Sequence, residues 1–299
     1  MGTTAASASG GPDGSAGGES RAAPGPVLGR ALRVLDAFSP ARPALTLSEL
    51  SRSCGLPTST VHRMLGPLLE WGALERGADG RYRVGLRLWE LGALAPRGPG
   101  LRERALPYLE DLFQSTGENV QLAVREGAEL VFVERIRGTG AVPVLTRVGG
   151  RFAMTATGVG LVLLAHAPRE VQDEVLAGPV PRFTERTLTD PQVLRRVLGD
   201  VRHVGYAVSD RQVTMDALSV AAPVYGPGEG VVAAVSLVVR HCDGHPRSPH
   251  LLAPLVRTTA RAITRALGTQ PSGPPPREAT PCLLGEDCAC GVLSPTREG

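Results

Sequence analysis

Residues 46–84 read TLSELSRSCGLPTSTVHRMLGPLLEWGALERGADGRYRV, and this stretch decides the fold of the N-terminal part of the chain. Thr46 stands three residues before Glu49. That is the spacing of a capping box, in which each side chain satisfies a backbone N–H at the start of a helix, and Gly55 offers the left-handed residue that stops it. Leu56-Pro57-Thr58 turns the chain. From Ser59 to Trp71 the apolar residues Val61, Leu65, Leu68 and Leu69 fall on one side, predicting a helix that ends at Gly72. Ala73-Leu74-Glu75-Arg76 and Arg81-Tyr82-Arg83-Val84 flank Gly77-Ala78-Asp79-Gly80, whose Asp-Gly pair is a strong hairpin signal. Upstream, Leu28, Leu32, Leu35 and Phe38 keep helical spacing before Pro40 stops the pattern. Three helices followed by a hairpin in so short a span form the plan of a winged helix-turn-helix, with a connecting helix expected over 86–94.

A length of 299 residues favours two domains, and 42% hydrophobic content supplies real cores. Pro and Gly cluster at 95–100, so the expected division is a DNA-binding domain at 27–92, a linker at 93–100 and a second domain at 101–268. Residues 1–26 are low-complexity, and 269–299 carry Pro271, Pro274, Pro275, Pro276 and Pro281; both are expected to be disordered tails. The first 26 residues lack the basic start and apolar core of a signal peptide, and apolar runs such as Val231 to Val239 fall short of the roughly 18 residues of a membrane helix. A soluble, cytoplasmic protein without membrane contact is the expectation. Five cysteines, an odd number, imply no disulfide framework.

The second domain mixes both periods. Leu101, Ala105, Leu109, Leu112 and Phe113 mark a helix; Val120 to Arg125 and Leu130 to Arg135 form a hairpin, with Val142 to Val148 expected as a third strand. A helix starts near Thr157, and another is capped by Thr189-Asp190-Pro191 and stops at Gly205. Leu218 to Val224 and Val231 to Val239 surround Pro227-Gly228-Glu229-Gly230 as a second hairpin, and Leu252 to Leu267 give a closing helix. Hairpins outnumber crossovers, so the class is α+β on a mainly antiparallel sheet.

The helix after Pro57 carries the chemistry of a groove reader. Thr58, Ser59, Thr60, His62 and Arg63 gather small hydroxyls and long donors opposite Val61 and Leu65, and no carboxylate occurs from Leu56 to Leu69. Arg76, Arg81 and Arg83 on the hairpin add charge. The net charge of the whole chain is only +3, so attraction to a duplex has to come from this local patch. An ordinary solvated helix face would explain the charges alone. All 32 basic residues are arginine, which excludes Schiff-base and P-loop lysine mechanisms. No H-E-x-x-H spacing and no G-x-S-x-G elbow occurs, so no catalytic residue is expected. Cys282, Cys288 and Cys290 have C-x5-C-x-C spacing, a weak metal signal, and no metal or other cofactor is expected. Two alternatives stay open: a sensor module docking a protein partner, and a redox sensor using these tail cysteines.

Leu45-Thr46-Leu47-Ser48-Glu49-Leu50, Gly55 to Leu65 and Gly80-Arg81-Tyr82-Arg83-Val84-Gly85 resemble stretches of the IclR (isocitrate lyase regulator) family of bacterial transcription factors. So do Phe152 to Gly158, Arg186-Thr187-Leu188-Thr189-Asp190, Gly205-Tyr206-Ala207-Val208 and Val220-Ala221-Ala222-Pro223-Val224, in the family's order over about 27–268. The resemblance implies a GAF-like effector domain after the winged helix, a homodimer or dimer of dimers on a palindromic double-stranded operator, and control by a small molecule, often an organic acid.

The turn Thr155 to Gly160 suits a carboxylate, because small residues at a helix start expose backbone N–H groups; a tight packing contact is the plainer reading of the same glycines. The family builds its pocket from this turn and the late strands, which by resemblance points to Gly158, Val159, Asp210, Ser219 and Ser236. Family members commonly carry an acidic pair, a glycine and a cysteine before the Val-Ala-Ala-Pro motif. This chain has Thr214-Met215-Asp216-Ala217-Leu218-Ser219 instead.

Overall fold

The computed structural model describes residues 26–95, 99–228, 230–241 and 248–268, which fall into two compact units divided in sequence after Ala93. The expected tails, and with them Cys282, Cys288 and Cys290, lie outside the described residues.

In the first unit, α1 (Pro26–Asp36), α2 (Leu47–Cys54) and α3 (Thr58–Glu70) enclose Val34, Leu50, Val61 and Leu65, while Leu45, Leu74 and Tyr82 close the core from the sheet. The capping box forms: Thr46 N–H donates to Glu49 Oε2 at 2.7 Å, and Glu49 N–H donates to Thr46 Oγ1 at 3.3 Å. Gly55 ends α2 at φ 62°, a region where a side chain would be strained. The hairpin pairs β2 (Leu74–Arg76) with β3 (Tyr82–Val84), and a two-residue strand β1 (Ala44–Leu45) adds to β3, completing a three-stranded wing. α4 (Leu86–Ala93) follows and buries no side chain within its unit.

The second unit is a six-stranded antiparallel sheet in the order β6-β5-β4-β9-β8-β7. Its elements in chain order are α5 (Pro99–Thr116), β4 (Asn119–Glu126), β5 (Glu129–Ile136), β6 (Arg151–Ala153), α6 (Gly158–Ala165), α7 (Arg169–Ala177), α8 (Pro191–Val204), β7 (Ala207–Asp210), β8 (Ala217–Tyr225), β9 (Val231–Arg240) and α9 (Pro249–Ala266). Strand alternation splits the core in two. Val120, Leu122, Val220, Val235 and Leu237 face α5 and α9. Ala123, Phe132, Ala221 and Ala234 face α6 and α8. All eight residues of α6 are buried, as befits a helix that is apolar all round.

The expected strand at Val142–Val148 is not one. Pro143 lacks the N–H a ladder needs, and side chains hold the segment instead: Asn119 Nδ2 donates to the Val142 carbonyl at 2.8 Å and Gln121 Nε2 to Thr146 Oγ1 at 2.6 Å. The strand beside β5 is Arg151–Ala153. α7 and β7 have no counterpart among the expected elements.

Candidate nucleic-acid interface and ligand cavity

On α3, Thr58, Ser59, His62 and Arg63 are exposed and Thr60 is half-buried, opposite buried Val61, Met64 and Leu65. The Thr58 hydroxyl donates to Ser51 Oγ at 3.2 Å, and Ser51 donates to the Leu56 carbonyl at 2.6 Å, fixing α2 and α3 across their turn. His62 and Arg63 have no ion-pair partner among the described residues. The first turn of α3 has no acidic residue, so its partial positive charge is uncompensated.

The wing arginines are engaged to different degrees. Arg76 lies over the Tyr82 ring, 5.5 Å from its centroid, with its head exposed. Arg81 donates to the Ala44 carbonyl at 3.2 Å and to Glu49 Oε2 at 3.0 Å, joining the hairpin to the capping box. Arg83 grips Asp79 through two bonds of 2.6 and 3.1 Å. The Arg83 guanidinium, helped by the backbone N–H of Arg81, brings the Asp79 carboxyl down to about 2. The Thr46 backbone N–H and then its hydroxyl hold Glu49 below the usual carboxylate range, with Arg81 adding to the effect.

In the second unit a cavity of about 40 Å³ opens on the α6 face of the sheet. One water needs about 10–15 Å³ on the same scale, so the space takes a few small groups. Gln121, Thr146, Thr157, Ser209, Thr214 and Ser219 give it neutral hydrogen-bonding walls, and Val144, Leu145, Val213, Ala217 and Val238 give apolar ones. Thr157 is the N-cap of α6, its hydroxyl accepting from Gly160 N–H at 3.0 Å. A Cβ on Gly158 would stand 2.8 Å from Ser219 Oγ, and one on Gly160 only 2.4 Å from the Met154 carbonyl oxygen. Both glycines are therefore close-approach positions that seat α6 on β8 and on the turn before it.

Of the residues drawn from the resemblance, Ser219 lines the cavity and Gly158 packs against it. Val159 is buried in the apolar core shared by α6 and α8. Ser236 is fully buried on the cavity face between Gln121 and Ala221, its hydroxyl without a hydrogen-bond partner. Asp210 pairs in register with Leu218, which faces α5 and α9, so alternation turns its carboxylate to the opposite face from Ser209 and Ser219. There it accepts from Arg211 at 3.2 Å and meets His241 Nδ1 at 2.7 Å.

The cavity wall after β7 is a strained turn. Arg211 has φ 55°, alone among described non-glycine residues in being positive. Thr184 Oγ1 donates to its carbonyl and Thr187 Oγ1 to that of Gln212, both at 2.6 Å, so the motif around Thr187 holds the wall that Val213 and Thr214 contribute. Sequence reasoning missed Gln121, Thr146 and Ser209. The available signal was Asn119 and Gln121 alternating with apolar residues in a strand otherwise fit for burial. No group of three His, Cys, Asp or Glu among the described residues could hold a metal ion. No described helix is long and apolar enough to cross a membrane.

Family models match both units. "IclR helix-turn-helix domain" covers residues 27–78 and "Bacterial transcriptional regulator IclR C-terminal" covers 97–265. The chain is 32% identical over 231 residues to the HTH-type transcriptional regulator KipR of Bacillus subtilis, spanning 76% of this chain and 91% of that one. It is 32% identical over 245 residues to the glycerol operon regulatory protein of Streptomyces coelicolor, spanning 81% and 96%. Among solved structures, an IclR homolog from Microbacterium hydrocarbonoxydans complexed with 4-hydroxybenzoate superposes with TM-score 0.76 at 38% identity, covering 81% of this chain and 99% of that one.

Proposed function

From the premise that the chain belongs to the IclR family of bacterial transcriptional regulators, and so is an effector-responsive DNA-binding regulator rather than an enzyme, we propose how its own residues do this work. α3 lies in the major groove, where Ser59, Thr60 and His62 approach phosphates and base edges and Arg63 makes a bidentate contact to guanine. The observation that carries this is the exposure of Arg63 and His62 on a helix free of acidic residues in its first turn. Arg76 puts positive charge on the wing beside the backbone, while Arg81 and Arg83, held by Glu49 and Asp79, shape the wing that carries it.

The effector is a small organic acid in the cavity beneath the N-terminus of α6, with Thr157, Gly158 and Ser219 on the wall away from its carboxylate. Two features support this: the neutral hydroxyl lining and the 4-hydroxybenzoate complex of the Microbacterium relative. Leu145 and Thr146 belong to a segment held by side-chain bonds rather than a ladder, so this wall can yield to an aromatic acid.

The protein works as at least a dimer, through the apolar surface of α1 and α4. Leu86 is 62% exposed, Trp89 70% and Leu28 59%, a density of bare apolar side chains that a second copy would cover. Two α3 helices would then meet half-sites about one helical turn apart.

A mobility-shift assay on the DNA upstream of the protein's own gene, with and without 4-hydroxybenzoate, tests the reading. Retardation that weakens steeply with salt is expected, together with a ligand-dependent change in affinity. Failure to bind that DNA in any salt, with or without acid, overturns it.

A further inference from the structure

The strand register contains a feature that bears on what the cavity recognises. Between β4 and β5 the pairing slips: Ala123 lies opposite Phe132, but Leu122 lies opposite Glu134, leaving Val133 as a bulge. Without the bulge, period-two alternation would set Glu134 opposite Gln121 on the cavity face and turn Arg135 towards α5 and α9. With it, Arg135 stands opposite Gln121 and shares the cavity face, while Glu134 turns away and pairs with Arg102 of α5 at 2.5 Å. One extra residue thus selects the sign of the charge beside the cavity.

Arg135 is poorly satisfied there. One terminal nitrogen donates to the carbonyl of Thr146, the residue whose hydroxyl is held by Gln121 and which lines the cavity. Its Nε is buried without an acceptor. No carboxylate pairs with it among the described residues. Burial, and then the nearby charge of Arg137, lower its pKa. A half-buried guanidinium whose Nε is buried without an acceptor gains when an anion comes within reach.

We propose that Arg135 is the specificity-determining residue of the effector site, the counter-ion for a small monocarboxylate whose apolar body rests on Val144, Leu145 and Val238. This rests on the ligand reading above and deepens it. The cavity lining holds no charged side chain, so the choice between an acid and its uncharged isostere falls to Arg135, which lies behind the lining residues Thr146 and Gln121 through its bond to the Thr146 carbonyl and its register with Gln121. The carboxylate would replace the Thr146 carbonyl at the guanidinium, which couples occupancy to the position of the 144–146 wall.

The test compares benzoate and 4-hydroxybenzoate with benzamide and 4-hydroxybenzamide by calorimetric titration of the full chain, in wild type, Arg135→Gln and Arg135→Lys. Wild type should prefer each acid over its amide by about tenfold or more, the scale of a charge-assisted hydrogen bond. Arg135→Gln should bring that ratio close to one, and Arg135→Lys should keep part of it. A wild type that binds neither acid, or an acid preference that survives in Arg135→Gln, overturns the proposal. So does a parallel loss of acid and amide binding in Arg135→Lys, which would mark the residue as a brace for the Thr146 wall. Retardation of promoter DNA by wild type is read separately: if it persists while the ratio fails, only the role of Arg135 falls, and if it is absent, the regulator reading falls whatever the acids do.

Discussion

Arg81 and Arg83 in the wing each meet a carboxylate, Glu49 at 3.0 Å and Asp79 at 2.6 Å, whereas Arg135 of the second unit has one carbonyl for company although burial is strong enough to lower its pKa. Arg63 on α3 resembles Arg135 in lacking a carboxylate, but it is exposed, so water carries its charge until a phosphate or base edge replaces that water. The contrast separates two uses of one side chain. A guanidinium already spent on a carboxylate fixes local geometry, and one left with neutral or no acceptors is available to a partner.

The largest effect that would sharpen this contrast is on DNA affinity. Arg63→Ala should weaken binding to the promoter fragment by about 1–3 kcal/mol and relax the preference at the base it reads, leaving the salt dependence almost unchanged. Arg83→Ala, whose charge Asp79 already neutralises, should weaken it far less. Equal losses in a titration of both variants would break the contrast and place Arg83 on the phosphate backbone with Asp79 as its resting partner.

The same logic reverses for stability. Arg81→Ala removes the bonds that join the hairpin to Ala44 and Glu49, so it should lower the melting temperature, while Arg63→Ala leaves it unchanged. The drop should stay well below that of Leu50→Ala, a fully buried leucine whose truncation costs about 2–5 kcal/mol, because both partners of the Arg81 pair are partly solvated. An Arg81→Ala protein that melts like wild type but binds DNA weakly would move Arg81 into the class of Arg63.

What could be read in advance follows how local each feature is. The capping box, the left-handed Gly55 and the Asp79-Gly80 turn are set by neighbours three or four residues apart, and each stands where the sequence placed it. The two-residue β1 depends on pairing with Arg83 and Tyr82 far along the chain, so nothing local announced it. Apolar residues at Val142, Val144 and Val148 imitated a strand, yet Val142 is buried, Val144 lines the cavity and Val148 is exposed, and Pro143 was the contrary sign. The cavity was legible only in outline. Ser219 and the turn at Gly158 carry a visible motif, but the bulge at Val133, which decides whether Glu134 or Arg135 stands beside Gln121, is a register event between strands. The facing of Asp210 is likewise a matter of which parity β7 takes against β8.

The smallest effect concerns acid. Asp79 has its carboxyl brought from 3.8 to about 2, chiefly by the hydrogen bonds of Arg83 and then by the Arg81 backbone N–H. A depressed carboxylate stabilises the fold fully above its ordinary pKa and loses that contribution as the pH falls through its folded value. The difference in melting temperature between wild type and Asp79→Asn should therefore be nearly constant from neutral pH to about 4, shrink below that and disappear only below about pH 2. Asp79 is solvent-exposed, so salt should shrink the difference as well. Should Asp79→Asn instead keep the same deficit at pH 2, the carboxylate's charge would be irrelevant, and the hairpin would be held by the turn geometry of Gly77 to Gly80 alone. Arg83 would then count, like Arg63, as a free cation.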